Sequence, residues 1–207
     1  MYYRNITSKI EASLEDTPII FINGPRQSGK STLVKWLSQK KYPSRYLTFD
    51  DSNVMAAVSA DPEGFVSEIN EPVIIDEIQR VPELFLAIKK SVDQDRQPGR
   101  FILTGSADVL LLPKLADSLA GRMEILTLWP FSETEILKTT TNFIQRIFQG
   151  KLSKSHQRPE RTKLISRLVT GGYPEAFDRK NDSRREQWFS SYITTILQRD
   201  IRDIAHI

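Results

Sequence analysis

Residues 24 to 31 read GPRQSGKS: a glycine, four intervening residues, then glycine, lysine and a hydroxyl side chain. That spacing fits G-x-x-x-x-G-K-[ST], a loop that wraps phosphate. The glycines let the backbone turn closely, so successive N–H groups point inward at an anion. A helix starting at the lysine adds its positive end to the same anion. In this reading Gly24, Pro25, Arg26, Gln27, Ser28 and Gly29 form the cradle. Lys30 reaches the β- and γ-phosphates, the Ser31 hydroxyl takes a Mg²⁺ position, and Thr32 donates to the α-phosphate. A chance match occurs in on the order of one chain in a hundred of this length. Here the match also follows an apolar run, PIIFI, and opens a helical one, which is the context the loop needs.

Other polar residues complete a candidate hydrolytic set. In PVIIDEIQ the apolar Val73, Ile74 and Ile75 carry Asp76 and Glu77 to the end of a strand. The carboxyl edge of an α/β sheet is where such proteins hold ligands. Asp76 is placed to hold Mg²⁺ through water and Glu77 to polarise an attacking water as general base. Alone, the pair would read as two surface acids capping a turn. In RFILTGS, Thr104 and Ser106 end a neighbouring strand within reach of a γ-phosphate or its attacking water, although a plain Ser/Gly turn explains them equally well. In SLAGR, Arg122 follows a helix-ending glycine. It is either an ordinary strand-edge arginine or a guanidinium that reaches the γ-phosphate of a neighbouring subunit.

The elements that must position these residues alternate in type. Short apolar strands are expected over 18–22, 45–50, 71–77, 100–105 and 123–129. A short amphipathic helix over 6–15 precedes them, with Ile6, Ile10 and Leu14 at helical spacing. Helices are expected over 30–41, 82–95 and 107–120, and a broken one over 53–69, which contains Pro62 and Gly64. Strands alternating with helices give a doubly wound parallel sheet covered on both faces. Beyond residue 130 the pattern turns helical. Ser132 and Glu135 form a capping-box start, QGKLSKSHQRPE over 149–160 reads as a connector, and a helix near 160–170 stops at Gly171-Gly172. In the last segment Trp188, Phe189, Tyr192, Ile193, Ile196 and Leu197 share one stripe. The organisation expected is a core over 1–130, a helical lid over 131–180, and a helix over 181–207 that starts a further domain.

Composition bounds the class. The 207 residues are 39% hydrophobic and 27% charged, enough for a core and a wetted surface. No cysteine is present and only His156 and His206, which excludes disulfides and argues against a histidine-built zinc site. No apolar run approaches a membrane span and no signal-peptide layout opens the chain, so a cytoplasmic protein is expected. Net charge is +3, but unevenly spread. Residues 1–150 hold 17 basic against 19 acidic side chains (−2), and 151–207 hold 12 against 7 (+5). That basic excess suits nucleic acid, an acidic partner or simply a solvated face.

In GPRQSGKST, YLTFDD, VIIDEIQRVPELFLAIK, GRFILTGSAD, SLAGRMEILTLWPFSETEI, GGYPEAF and WFSSYITTILQRDI the chain resembles the prokaryotic AAA-type ATPases related to origin-recognition and signal-transducing NTPases. The resemblance implies a five-stranded sheet of order 5-1-4-3-2, a helical lid, ATP or ADP with Mg²⁺, and adenine contacts from the GGYP segment through Gly172 and Pro174. Members usually continue into a second domain, so the chain is expected to be either a fragment or a shortened member. The usual sensor asparagine is replaced by the Thr104/Ser106 pair.

Three activities compete on these residues. Mg²⁺-dependent ATP hydrolysis driving a conformational change uses Glu77 best. A nucleotide-loaded switch that recruits protein or DNA needs no acid there. A small-molecule kinase would want an arginine-rich lid, for which Arg158, Arg161 and Arg167 are available. A homo-oligomer and a protein partner fit the family. DNA lacks a base-reading motif to support it.

Overall fold

The computed structural model describes residues 3–106, 119–139, 147–150 and 160–205, with side chains to 198. Residues 107–118 of the helix expected over 107–120, and most of the connector over 149–160 with Arg158, lie outside them. The chain divides into two compact units, residues 3–129 and 130–207.

The first unit is built on β1 (Ile19–Asn23), β2 (Arg45–Thr48), β3 (Val73–Asp76), β4 (Phe101–Thr104) and β5 (Met123–Thr127). All neighbours pair in parallel, in the order β2-β3-β4-β1-β5. This is the expected order 5-1-4-3-2, with β4 inserted between the strand of the phosphate loop and the strand of the acids. The central strands are apolar on both faces because both are covered. Ile19, Phe21, Val73, Ile75, Phe101 and Leu103 pack on one side against α3 (Ser52–Ala60), α4 (Pro62–Ser67) and α5 (Leu84–Gln94). Ile20, Ile22, Ile74 and Ile102 pack on the other against α1 (Thr7–Ser13) and α2 (Lys30–Lys40), through Ile10, Leu33, Val34 and Leu37. Each such side chain contributes about 1.5–3 kcal/mol by leaving water.

The broken helix of 53–69 is two helices, each started by its own aspartate. Asp51 Oδ1 accepts the Asn53 N–H at 2.9 Å, and Asp61 Oδ1 accepts the Gly64 N–H at 2.8 Å. Pro62 stands in the first turn, where its missing N–H removes nothing.

The second unit is helical among its described residues. Its first helix, α6 (Glu133–Leu137), carries the expected capping box: the Ser132 N–H donates to Glu135 Oε2 at 2.9 Å, and the Glu135 N–H donates to Ser132 Oγ at 3.3 Å. Next comes α7 (Arg161–Thr170), which ends at Gly171 with φ 65, followed by α8 (Pro174–Phe177) and α9 (Asp182–Ala205). Of the apolar stripe on α9, Trp188, Phe189 and Tyr192 gather around Tyr173, with ring centroids 5.1–6.4 Å from it. Ile193 and Leu197 remain exposed.

Candidate functional site

Asn23 ends β1 at the carboxyl edge of the sheet, and the chain turns there at once. Gly24 has φ 147, and a Cβ on it would collide with the Leu128 carbonyl oxygen, so this position requires glycine. Gln27 adopts φ 60 and Gly29 φ 97, and α2 begins at Lys30. The loop is held from within by the Ser28 N–H, which donates to the Pro25 carbonyl at 3.3 Å. The first N–H groups of α2 have no partner inside their own helix, as the geometry of any helix start requires. A loop of this shape at a helix start suits an anion.

Lys30 is only 6% exposed. Its Nζ donates to the Gly24 and Pro25 carbonyls at 2.9 and 3.1 Å, folding the side chain back along its own loop. Burial pulls its pKa below the ordinary lysine value, against the charges of Glu77 and Asp76, which push it up. The competition places a desolvated cation within the field of both acids.

Strand parity brings the acid and the hydroxyl to the same face as α2. Ile74 and Ile102 pack toward α2, and two residues further on come Asp76 and Thr104, buried at the carboxyl edge. Asp76 is 1% exposed. Its Oδ2 accepts the Tyr46 hydroxyl at 2.7 Å and its Oδ1 accepts the Thr104 hydroxyl. Thr104 Oγ1 in turn accepts the Glu77 N–H at 3.2 Å. Glu77 sits in the left-handed region at φ 61, ψ 44, a conformation that costs a residue with a Cβ about 1–2 kcal/mol. The bond to Thr104 and the 3₁₀ turn Ile78–Arg80 hold it there, and Gln79 Nε2 donates to Glu77 Oε2. Burial, then Asp76, push the Tyr46 phenol pKa up, so it remains a donor to the carboxylate.

Mg²⁺ fits this donor set. Asp76 offers a fixed carboxylate whose oxygens each keep a lone pair beyond the hydroxyl they accept, and Ser31 lies one residue into α2. Three buried polar atoms along this edge, Asn23 Oδ1, Ser28 Oγ and Gln79 Oε1, have no hydrogen-bond partner among the described residues. Buried groups of that kind call for a polar partner.

Ser106, Arg122, Gly172 and Pro174 complete the expected set. Ser106 is buried two residues beyond β4. Arg122 stands at the amino edge, beside the start of β1, where its Nε bonds Asp93 and its Nη1 donates to the Ala120 carbonyl at 3.2 Å. Gly172 and Pro174 belong to the second unit. The Gly172 carbonyl accepts the Phe131 N–H at 2.7 Å, with no room for a Cβ against Phe131, and Pro174 opens α8. Arg167 bonds Glu133 at 3.5 Å and lies over the Phe177 ring. Tyr46 and Gln79 escaped the sequence reading. The one available signal was that Tyr46 has the strand parity of Ile74.

The AAA domain family matches residues 16–137, and the chain belongs to that family, with its parallel P-loop fold. A domain of unknown function matches residues 161–207. Uncharacterized proteins of Mycobacterium bovis and Mycobacterium tuberculosis are each 30% identical over 203 residues, 98% of this chain but 40% of theirs. The chain thus spans less than half the length of these relatives. Among solved structures, AMPPCP-bound DnaA from Aquifex aeolicus is similar in fold, with TM-score 0.50 and 16% identity over 82% of this chain and 56% of that one. No helix among the described residues is long and apolar enough to cross a membrane.

Proposed function

We propose that the chain binds ATP with Mg²⁺ at residues 24–32 and hydrolyses its terminal phosphoanhydride. The observation that carries this reading is the convergence of Lys30, Asp76, Thr104 and Glu77 at the carboxyl edge of the sheet. The AMPPCP in the DnaA structure of similar fold supports the choice of nucleotide. Lys30 exchanges its two loop carbonyls for phosphate oxygens, while the loop amides and the start of α2 neutralise the rest. Ser31, and through water Asp76, would hold Mg²⁺, which would supply charge neutralisation for the phosphates. Tyr46 and Thr104 fix the Asp76 carboxylate. Thr104 also fixes the Glu77 backbone, aiming its carboxylate at a water in line with the γ-phosphorus. Glu77 takes the proton of that water as the bond to the leaving oxygen breaks. Hydrolysis is proposed to drive a conformational change, and Gly172 and Pro174 of the second unit are proposed to contact adenine. The cellular setting proposed is the cytoplasm, as a homo-oligomer or with a protein partner.

A second reading rests on Gln79. Its amide bonds the Glu77 carboxylate and occupies an oxygen that a general base would turn to water, which suits a nucleotide-loaded switch with negligible turnover. Single-turnover phosphate release from ATP·Mg²⁺ by the chain and by Glu77→Gln separates the two. Release that collapses in the variant while nucleotide still binds establishes hydrolysis with Glu77 as base. Binding without release in either protein establishes the switch.

A further inference from the structure

Arg4 precedes α1 and is only 4% exposed. Its Nη1 donates to the Ser28 carbonyl at 2.9 Å and its Nη2 to the Trp129 carbonyl. One guanidinium therefore joins the phosphate loop to the last residue of the first unit. We propose that Arg4 is a positioning residue that holds the phosphate loop in its anion-binding shape and ties that shape to the end of β5. The inference rests on the nucleotide reading above.

Anchoring the amino-terminal segment does not explain a buried charge, because Ile10 is already fully buried against the sheet, with Ile6 and Leu14 packed beside it. The loop does need an outside support. It carries a left-handed Gln27 between Gly24 and Gly29, both also at positive φ, and such backbone persists only where its surroundings over-determine it. The support acts on the right atoms. In a planar trans peptide the N–H points away from the preceding carbonyl. Fixing the Ser28 carbonyl toward Arg4 therefore fixes the direction of the Gly29 N–H, at the cap of α2. The planar fork of arginine reaches two carbonyls at set angles, which an ammonium cannot reproduce.

The test uses Arg4→Met and Arg4→Lys in the full chain, with three readouts: affinity for a fluorescent ATP analogue with Mg²⁺, hydrogen exchange of the 24–29 amides without nucleotide, and the melting temperature. If the competent loop shape falls to a tenth of the population, affinity weakens about tenfold. Arg4→Met is expected to show that loss, together with faster loop exchange, at temperatures where it is fully folded, and Arg4→Lys to fall between. Should Arg4→Met not fold, Arg4→Lys carries the same comparison. A lower melting temperature with unchanged affinity and loop exchange in the folded protein makes Arg4 an anchor and overturns the proposal. Absence of nucleotide binding by the unsubstituted chain overturns the nucleotide reading and this one with it.

Discussion

The two edges of the same sheet carry similar residues and solve opposite problems. At the amino edge lies a cavity of about 450 Å³ lined by Asn70, Glu71, Gln97 and Arg100 among others. Two arginines at this edge are paired within the protein. Arg100 donates to the Asp95 and Ser91 carbonyls and to Ser91 Oγ, and Arg122 is paired with Asp93. At the carboxyl edge three of the four buried side-chain atoms without a partner among the described residues lie beside the phosphate loop or Glu77. There Lys30 donates to two loop carbonyls, and Glu77 and Gln27 hold left-handed conformations. A hollow is not a site. The edge with unsatisfied groups and strained backbone is the one on which the nucleotide proposal rests.

The sharpest way to break this contrast is Lys30→Met. Removing the buried cation is expected to weaken ATP·Mg²⁺ binding about a hundredfold or more, measured by calorimetry, without lowering the melting temperature of the free protein, because burial already disfavours that charge. The same cation sets a pH signature. Its charged form binds phosphate and its pKa lies below the ordinary lysine value. Affinity should therefore fall as pH rises through that depressed pKa, at a lower pH than a free lysine would show. Binding should take up a proton in that range, and titration in two buffers of different ionisation enthalpy measures the uptake. No uptake would remove Lys30 from the site.

Tyr46→Phe sharpens the comparison within the carboxyl edge. It removes one hydrogen bond from a buried carboxylate and is expected to cost about 1.5–3 kcal/mol of stability in urea unfolding, together with weaker Mg²⁺-dependent but not Mg²⁺-independent nucleotide binding. Loss of both alike would make Tyr46 a packing residue only.

The smallest effect is expected from Arg122→Ala at the closed edge. Nucleotide affinity and phosphate release in dilute solution should not change. A defect in release that appears only at high protein concentration would give Arg122 a role in a neighbouring subunit, which its pairing with Asp93 does not by itself suggest.

Much of this site was legible because its parts are contiguous. The phosphate loop, the Asp76-Glu77 pair at a strand end and the Ser132 capping box each lie within eight residues, and local chemistry sufficed to find them. Gly171 was likewise visible as a helix stop. The segment 53–69 was harder, since Pro62 reads as a break unless Asp61 is recognised as a cap that starts a second helix. Arg4 was not legible at all, and of Tyr46 only its strand parity was. Arg4 acts on a carbonyl 24 residues away, and Tyr46 on a carboxylate 30 residues away. Neither spacing carries a pattern.

By itself the sequence determined the alternation of strand and helix, the anion cradle and the acids at a strand end, because periodicity, turn chemistry and glycine requirements act between near neighbours. Tertiary structure decided which groups meet. Only the insertion of β4 between β1 and β3 puts Thr104 on Asp76 and under Glu77. Only the pairing of β2 with β3 sends the Tyr46 hydroxyl to the same carboxylate. The reason is that a parallel sheet joins residues by register across strands, and register is set by burial of both faces at once, a property no single segment contains.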